Sequence, residues 1–165
     1  MAAPGDVVLR AATWQNDRTE IQAVRRRVFI EEQRVPEAEE WDATDPVAHH
    51  VLALDGKRDA VGTGRLAPGG KIGRVAVLPQ YRGAGVGSGI VGHFVNLAAE
   101  LGLARVYLHA QTATLRFYER LGFRAEGPEF DEVGIPNRLM RLGIEPGDGR
   151  KAGRDGYPEH PLDAR

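Results

Sequence analysis

A strand-like run, Arg74-Val75-Ala76-Val77-Leu78, stops at Pro79 and passes into Arg82-Gly83-Ala84-Gly85-Val86-Gly87-Ser88. No other stretch narrows the possible folds so far. Beyond it, Ile90, Val91, Phe94, Val95, Ala98 and Leu101 recur at helical spacing, and Gly102 closes the pattern. A strand that turns through glycines into a helix aims several backbone N–H groups and the helix's positive end at one point. The glycines permit positive φ and close backbone approach, and Arg82 adds a full charge. The physical reading is a pyrophosphate cradle.

Three cradles compete for this pattern. A nucleoside-triphosphate loop needs Lys followed by Ser or Thr after its second glycine; Gly83 to Ser88 has no Lys. Gly87-Ser88-Gly89-Ile90-Val91-Gly92 fits a dinucleotide fingerprint, but it lies inside the helical pattern. The acidic ribose partner expected ~20 residues further on is also missing, because Leu101 to Phe117 holds no Asp or Glu. The third form, Q/R-x-x-G-x-G/A, is met by Gln80-Tyr81-Arg82-Gly83-Ala84-Gly85, or loosely by Arg82 to Gly87.

Around this turn the chain alternates strand and helix signals. Val7-Val8-Leu9 reads as a strand, and Arg18 to Gln33 as a helix with Ile21, Val24, Val28 and Phe29 on one face, capped by Asp17 or Thr19. An acidic loop, Glu37 to Asp45, leaves room for one short helix. His49–Leu54 and Ala60–Leu66 form a hairpin around Asp55-Gly56. Lys71–Leu78, Ala104–Ala110, Phe123–Glu126 and Asn137–Leu142 supply further strands, with a short helix over Ala113–Leu121. The order β-α-β-β-β-α-β-α-β-β predicts an α+β protein, an α/β/α sandwich with helices on both sheet faces. Residues 1–144 make one domain. Residues 145–165, rich in Gly, Pro and charge, form a tail that cannot offset its own ordering entropy.

Composition excludes other classes. Lys+Arg 22 against Asp+Glu 23 leaves a net charge of −1, without the basic excess that nucleic acid demands. The chain has 0 cysteines, which removes disulfides, thiol nucleophiles and thiolate metal sites. His93 and His109 lack ligand neighbours at useful spacing, so no metal is expected. Apolar runs fall far short of the ~20 residues that span a bilayer, and no signal-like stretch opens the chain. A cytoplasmic protein is the expectation. Arg25-Arg26-Arg27 reads as a solvated basic face, His50 as a satisfied structural histidine, and Trp14 and Trp41 as residues of the core rim.

Arg-Gly-x-Gly-x-Gly after a strand, followed by Phe117-Tyr118-Glu119-Arg120-Leu121-Gly122-Phe123, resembles the GNAT superfamily of acetyl-CoA-dependent N-acetyltransferases. Further segments are similar to its ElaA/YjcF-like branch: Arg27 to Gln33, Trp41-Asp42, His50, Gly64-Arg65-Leu66, Arg74 to Val77, Ala110-Gln111, and Glu132 to Pro136. The likeness covers about residues 7 to 143. One position departs from it, since Asn137 stands where the branch usually has His.

The resemblance implies a mixed, mostly antiparallel sheet splayed between the fourth and fifth strands, with acetyl-CoA as co-substrate in the gap. Val75, Ala76 and Val77 would offer backbone groups to the pantetheine arm. Arg82, Gly83, Ala84, Gly85, Val86, Gly87 and Ser88 would hold the pyrophosphate, and Gln111 would contact the arm. A backbone N–H near Val77 would stabilise the oxyanion. Tyr118 would protonate the departing sulfur, since a phenol titrates near 10. Glu31 and Glu132 are carried as catalytic carboxylates. Glu32, Asp42 and His50 complete the candidate bases. The partners are acetyl-CoA and an amine acceptor, with no nucleic acid and no membrane, and with a homodimer left open. The alternative is a CoA-binding sensor without turnover, motivated by Asn137 and the unassigned base.

Overall fold

The computed structural model describes residues 6–145. The expected tail therefore lies outside the described residues, Glu145 apart. The element order is the expected one. Strands are β1 (Val8–Ala12), β2 (His49–Leu54), β3 (Ala60–Leu66), β4 (Ile72–Val77), β5 (Arg105–Gln111), β6 (Arg124–Glu132) and β7 (Ile135–Gly143). Helices are α1 (Trp14–Arg25), α2 (Glu37–Glu40), α3 (Val86–Glu100) and α4 (Leu115–Arg120).

Helix α1 begins a turn earlier than its periodicity suggests. Thr13, not Asp17 or Thr19, is the cap: its hydroxyl accepts from Asn16 N at 3.1 Å. Asp17 reaches back instead to the Thr13 N–H at 2.9 Å, so the two residues satisfy orphan donors reciprocally. That extra turn brings Trp14 into the core, where it is buried. Beyond Arg25 the helix widens into a π-helical segment, Arg26–Glu32, with Gln33 N donating to Val28 O at 3.1 Å. Such wide turns re-aim side chains and occur often at functional sites.

The strands form two antiparallel sheets. One has the order β1-β2-β3-β4 and the other β5-β7-β6. Among the described residues one parallel bridge joins them, Lys71 with Tyr107, where Tyr107 N donates to Gly70 O at 3.0 Å. Past this bridge β4 and β5 part, giving the splay expected between the fourth and fifth strands. Its cause lies in β4. Thr63 pairs with Ala76 but Arg65 pairs with Gly73, so Arg74 and Val75 together oppose Gly64. This is a β-bulge, which bends its strand and increases twist. Arg74 carries the strain with φ +51.

Strand alternation divides the core between two helix layers. Val51, Ala53, Val75 and Val77 pack with Ile90, Phe94, Phe117 and Tyr118 on the α3–α4 side. Leu52 and Leu54 pack with Trp14 and Ile21 of α1, and Ala76 with Val24, Val28 and Phe29. Helices thus cover both faces.

Candidate active site

The gap between β4 and β5 is a cleft of about 240 Å³. Its walls include Val75, Gln111 and Tyr118, with Phe29, Gln33 and Val35 from the π-helical region. Glu39, Glu40, Arg74, His109, Glu132 and Asn137 add polar and charged groups.

At one end of the cleft's strand β4 stands the glycine turn. Gly83 has φ +76 and Gly85, the residue preceding α3, has φ +82. A Cβ placed on Gly85 would meet nothing within 4 Å, so the turn is open on its outer side. None of the amides from Gly83 to Ser88 donates to another described residue. Ser88 Oγ is buried and has no partner. Unspent amides at the positive end of a 15-residue helix, beside an orphaned hydroxyl, fit a diphosphate.

Arg82 departs from the expected role. Its guanidinium donates to both Glu32 carboxylate oxygens at 2.8 Å, and its Nε donates to Val77 O at 2.9 Å. The charge is neutralised, and the side chain straps the π-helical segment to the end of β4. Glu32, a candidate base, is held in that pair. Ala76 also departs from expectation. Leu78 N donates to Val61 O at 2.9 Å, so antiparallel alternation commits Ala76 to its β3 partner Thr63 and turns Val77 outward. Val77 is the residue whose N–H and carbonyl face the split, with Val75 in the bulge beside it. Gln111 Nε2 donates to Gln33 Oε1 at 2.9 Å, bridging β5 to the π-helical segment across the cleft.

Tyr118 is buried, with its ring edge-to-face against Phe117 at 4.8 Å and Phe123 at 5.9 Å. It reaches the cleft from the α4 side. Burial pushes its phenol well above the ordinary value, so it stays protonated.

Among the expected bases, only Glu132 lines the cleft. Its Oε1 lies 3.2 Å from His109 Nδ1. Glu31 is exposed and outside the lining, because the π turn brings Phe29 and Gln33 inward instead. His50 is buried at the other end of the molecule's charge network: Nε2 lies 2.8 Å from Asp45 O, and the ring stacks on Trp14 at 5.5 Å. Burial lowers its pKa despite Asp45. Asp42 is clasped by Arg65 at 2.8 and 2.9 Å. Burial pushes the Asp42 carboxyl up, but the Arg65 pair and Arg74 outweigh it and hold it at about 2. Asn137 is buried, and its Nδ2 donates to Ile135 O at 2.8 Å within its own strand.

The cleft's floor is a charge network that sequence reasoning missed. Arg25, read as part of a solvated face, is 1% exposed. It donates to Glu40 Oε2 at 2.7 Å and Asp45 Oδ1 at 2.6 Å, and lies over the Trp41 ring at 5.0 Å. Arg65 joins Asp45 at 2.7 Å. Arg74 closes the set on Glu40 Oε2 at 3.2 Å and Glu40 O at 3.2 Å. Burial raises the Glu40 carboxyl against the pull of Arg74 and Arg25. The available signal was the basic run 25–27 facing the acidic run 37–45, a complementarity that periodicity does not score.

The described residues contain no group of three or more His, Asp or Glu arranged to hold a metal, and no helix among them is long and apolar enough to cross a membrane. The family model described as Acetyltransferase (GNAT) family matches residues 13–123. The uncharacterized protein YyaT of Bacillus subtilis is 38% identical over 138 residues, spanning 80% of this chain and 93% of that protein. The uncharacterized N-acetyltransferase YjcF of the same organism is 39% identical over 121 residues, spanning 71% and 86%. The crystal structure of Escherichia coli ElaA superposes with a TM-score of 0.72 at 23% identity, over 82% of this chain and 98% of that one, and so shares the fold. The chain accordingly belongs to the acetyltransferase (GNAT) family, acyltransferases whose co-substrate is an acyl-CoA.

Proposed function

We propose that the protein is an acetyl-CoA-dependent N-acetyltransferase that moves an acetyl group to a primary amine by direct attack, with both substrates bound. The observation that carries this reading is the set of unspent amides from Gly83 to Ser88 at the mouth of the β4–β5 split. In this reading Val86, Gly87, Ser88 and the turn before them hold the diphosphate through N–H groups and the Ser88 hydroxyl. Val75 and Val77 border the pantetheine arm. Val77 N–H meets the thioester oxygen, where a fixed donor is worth most as charge develops. Tyr118 donates a hydrogen bond to the leaving sulfur. Its raised pKa makes a lasting phenolate costlier than for an ordinary phenol, so as the Tyr118 proton passes to sulfur a proton from the amine must restore the phenol. Glu39 and Glu132 give the acceptor side of the cleft negative charge, which suits an amine arriving as its ammonium. Direct attack needs no enzyme nucleophile, in keeping with a chain of 0 cysteines.

The test is thiol release from acetyl-CoA with a panel of primary amines, alongside calorimetric titration with CoA. Amine-dependent thiol release and saturable CoA binding are expected. CoA binding without thiol release from any amine overturns the transferase reading in favour of a CoA-binding sensor. Stabilisation by a dinucleotide but not by CoA overturns both.

A further inference from the structure

We propose that His109 is the group that takes the proton from the acceptor amine, and that Glu132 is its positioning residue. The proposal deepens the acetyltransferase reading and rests on it. His109 lies in the middle of β5, where Val106, Leu108 and Ala110 face the α3–α4 core. Alternation therefore turns Tyr107, His109 and Gln111 to the opposite side of the sheet. Tyr118 enters the cleft from the α4 layer. The sulfur's donor and the amine's acceptor thus reach one split from opposite sides of the sheet, which leaves room for the thioester carbonyl between them.

The imidazole is built in rather than left loose. Glu132 Oε1 holds Nδ1 at 3.2 Å. Phe130 packs edge-to-face on the ring at 5.0 Å and 79°. A carboxylate only accepts, so Nδ1 carries the hydrogen and Nε2 keeps its lone pair. No hydrogen bond uses Nε2 among the described residues, and the side chain is 27% exposed. Other charged or titratable neighbours are Lys71 just before β4, Arg74 from β4, Glu39 and Glu40 from α2, Tyr107 from β5 and Tyr118 from α4. Arg74 is engaged with Glu40 and Asp42, and Glu40 is locked to Arg25. His109 is the one histidine that lines the cleft among the described residues.

The bound ammonium loses one proton through His109 Nε2 to solvent. The amine then forms the C–N bond while the C–S bond breaks, and its second proton passes to His109. Tyr118 gives its proton to the sulfur. The proton on His109 restores the phenol through water. An amide, CoA thiol and one released proton result.

The experiment has two arms. In the substrate-free protein, nitrogen-15 NMR reads the His109 tautomer. The Nδ1–H form is expected in the wild type and a loss of that preference in Glu132→Gln. In turnover, His109→Gln is expected to lower kcat about 100-fold or more, within the range for general bases, with the KM for acetyl-CoA unchanged and the acidic limb of the kcat/KM profile gone. Glu132→Gln keeps that limb but shifts it toward lower pH, with a loss of about tenfold. An Nε2–H tautomer in the wild type, or an acidic limb that persists in His109→Gln, overturns the proposal. If the wild type releases no thiol with any amine, the transferase reading fails first, and with it this role, whatever the tautomer.

Discussion

Gly70 offers a sharp test of the split sheet. It sits where the two sheets meet, with φ +101, and its carbonyl accepts from Tyr107 N. A Cβ there would lie 2.8 Å from Arg105 O, a backbone atom that cannot rotate away. Gly69, its neighbour, has φ +92 and nothing within 4 Å of the same hypothetical Cβ. Gly70→Ala and Gly69→Ala therefore share the cost of a left-handed side chain, about 1–2 kcal/mol, and differ in the clash. Forcing extra volume into packed structure costs about 1–3 kcal/mol. At roughly 2–4 °C per kcal/mol for a domain of this size, Gly70→Ala melts about 2–12 °C below Gly69→Ala. Relief of the clash must push β5 away from the Lys71–Tyr107 bridge, so CoA affinity also falls further in Gly70→Ala. Scanning calorimetry and CoA titration read both effects. Melting points within about 1 °C of each other would show that the sheets are not pinned at this bridge.

Four other perturbations probe the site. Gly85→Asp has space for its side chain but places a carboxylate in the cradle, so CoA affinity falls at least about tenfold while the melting point drops only by the strain of φ +82; unchanged affinity by calorimetry refutes the cradle. Tyr118→Phe lowers kcat about 10–100-fold and leaves CoA affinity alone, and burial holds the phenol above its ordinary value, so wild-type rates show no basic limb from Tyr118 below about pH 10. Asp42, held at about 2 when folded against about 3.9 unfolded, adds stability above the unfolded value that is lost as pH falls through the folded one; Asp42→Asn flattens that part of the acid-unfolding curve, and an unaltered curve counts against the Arg65 clasp. Arg74→Gly relieves about 1 kcal/mol of left-handed strain, and Glu40 and Asp42 keep Arg25 and Arg65, so stability changes little while acetyl transfer falls because the bulge loses its anchor; a large stability loss with normal turnover refutes this division.

Much of this fold is written in local patterns. The hairpin at Asp55-Gly56 and the two glycine-closed helices follow from turn chemistry and periodicity, and their bounds in the structure lie close to the expected ones. The start of α1 was hidden because Thr13 and Asp17 cap it jointly, across a spacing longer than the usual box. The site is less legible. Glycines at 83 and 85 announce the cradle because positive φ is a property of single residues. The fates of Arg25 and Arg82 depend on acids 15 and 50 positions away, and no local pattern encodes those distances. His109 looked inert because its partner, Glu132, is brought to it only by the β6–β7 hairpin.

The charge network and the bulge are best understood as one device. A buried ion-pair cluster rarely adds much stability, since desolvation offsets most of the attraction. What it can do is over-determine a conformation that no single residue would choose. Arg74 adopts φ +51 with a long side chain, a state that persists only where surroundings enforce it. Here they do: Glu40 offers both its carboxylate and its main-chain oxygen, and Arg25 fixes Glu40 in turn from the far side. The bulge then bends β4 away from β5 and turns Val77 toward the gap. Three arginines and three acids at the cleft's floor, none of them given a proton-transfer role, thereby decide where the sheet opens, and the opening decides on which side the proposed acid and base can stand.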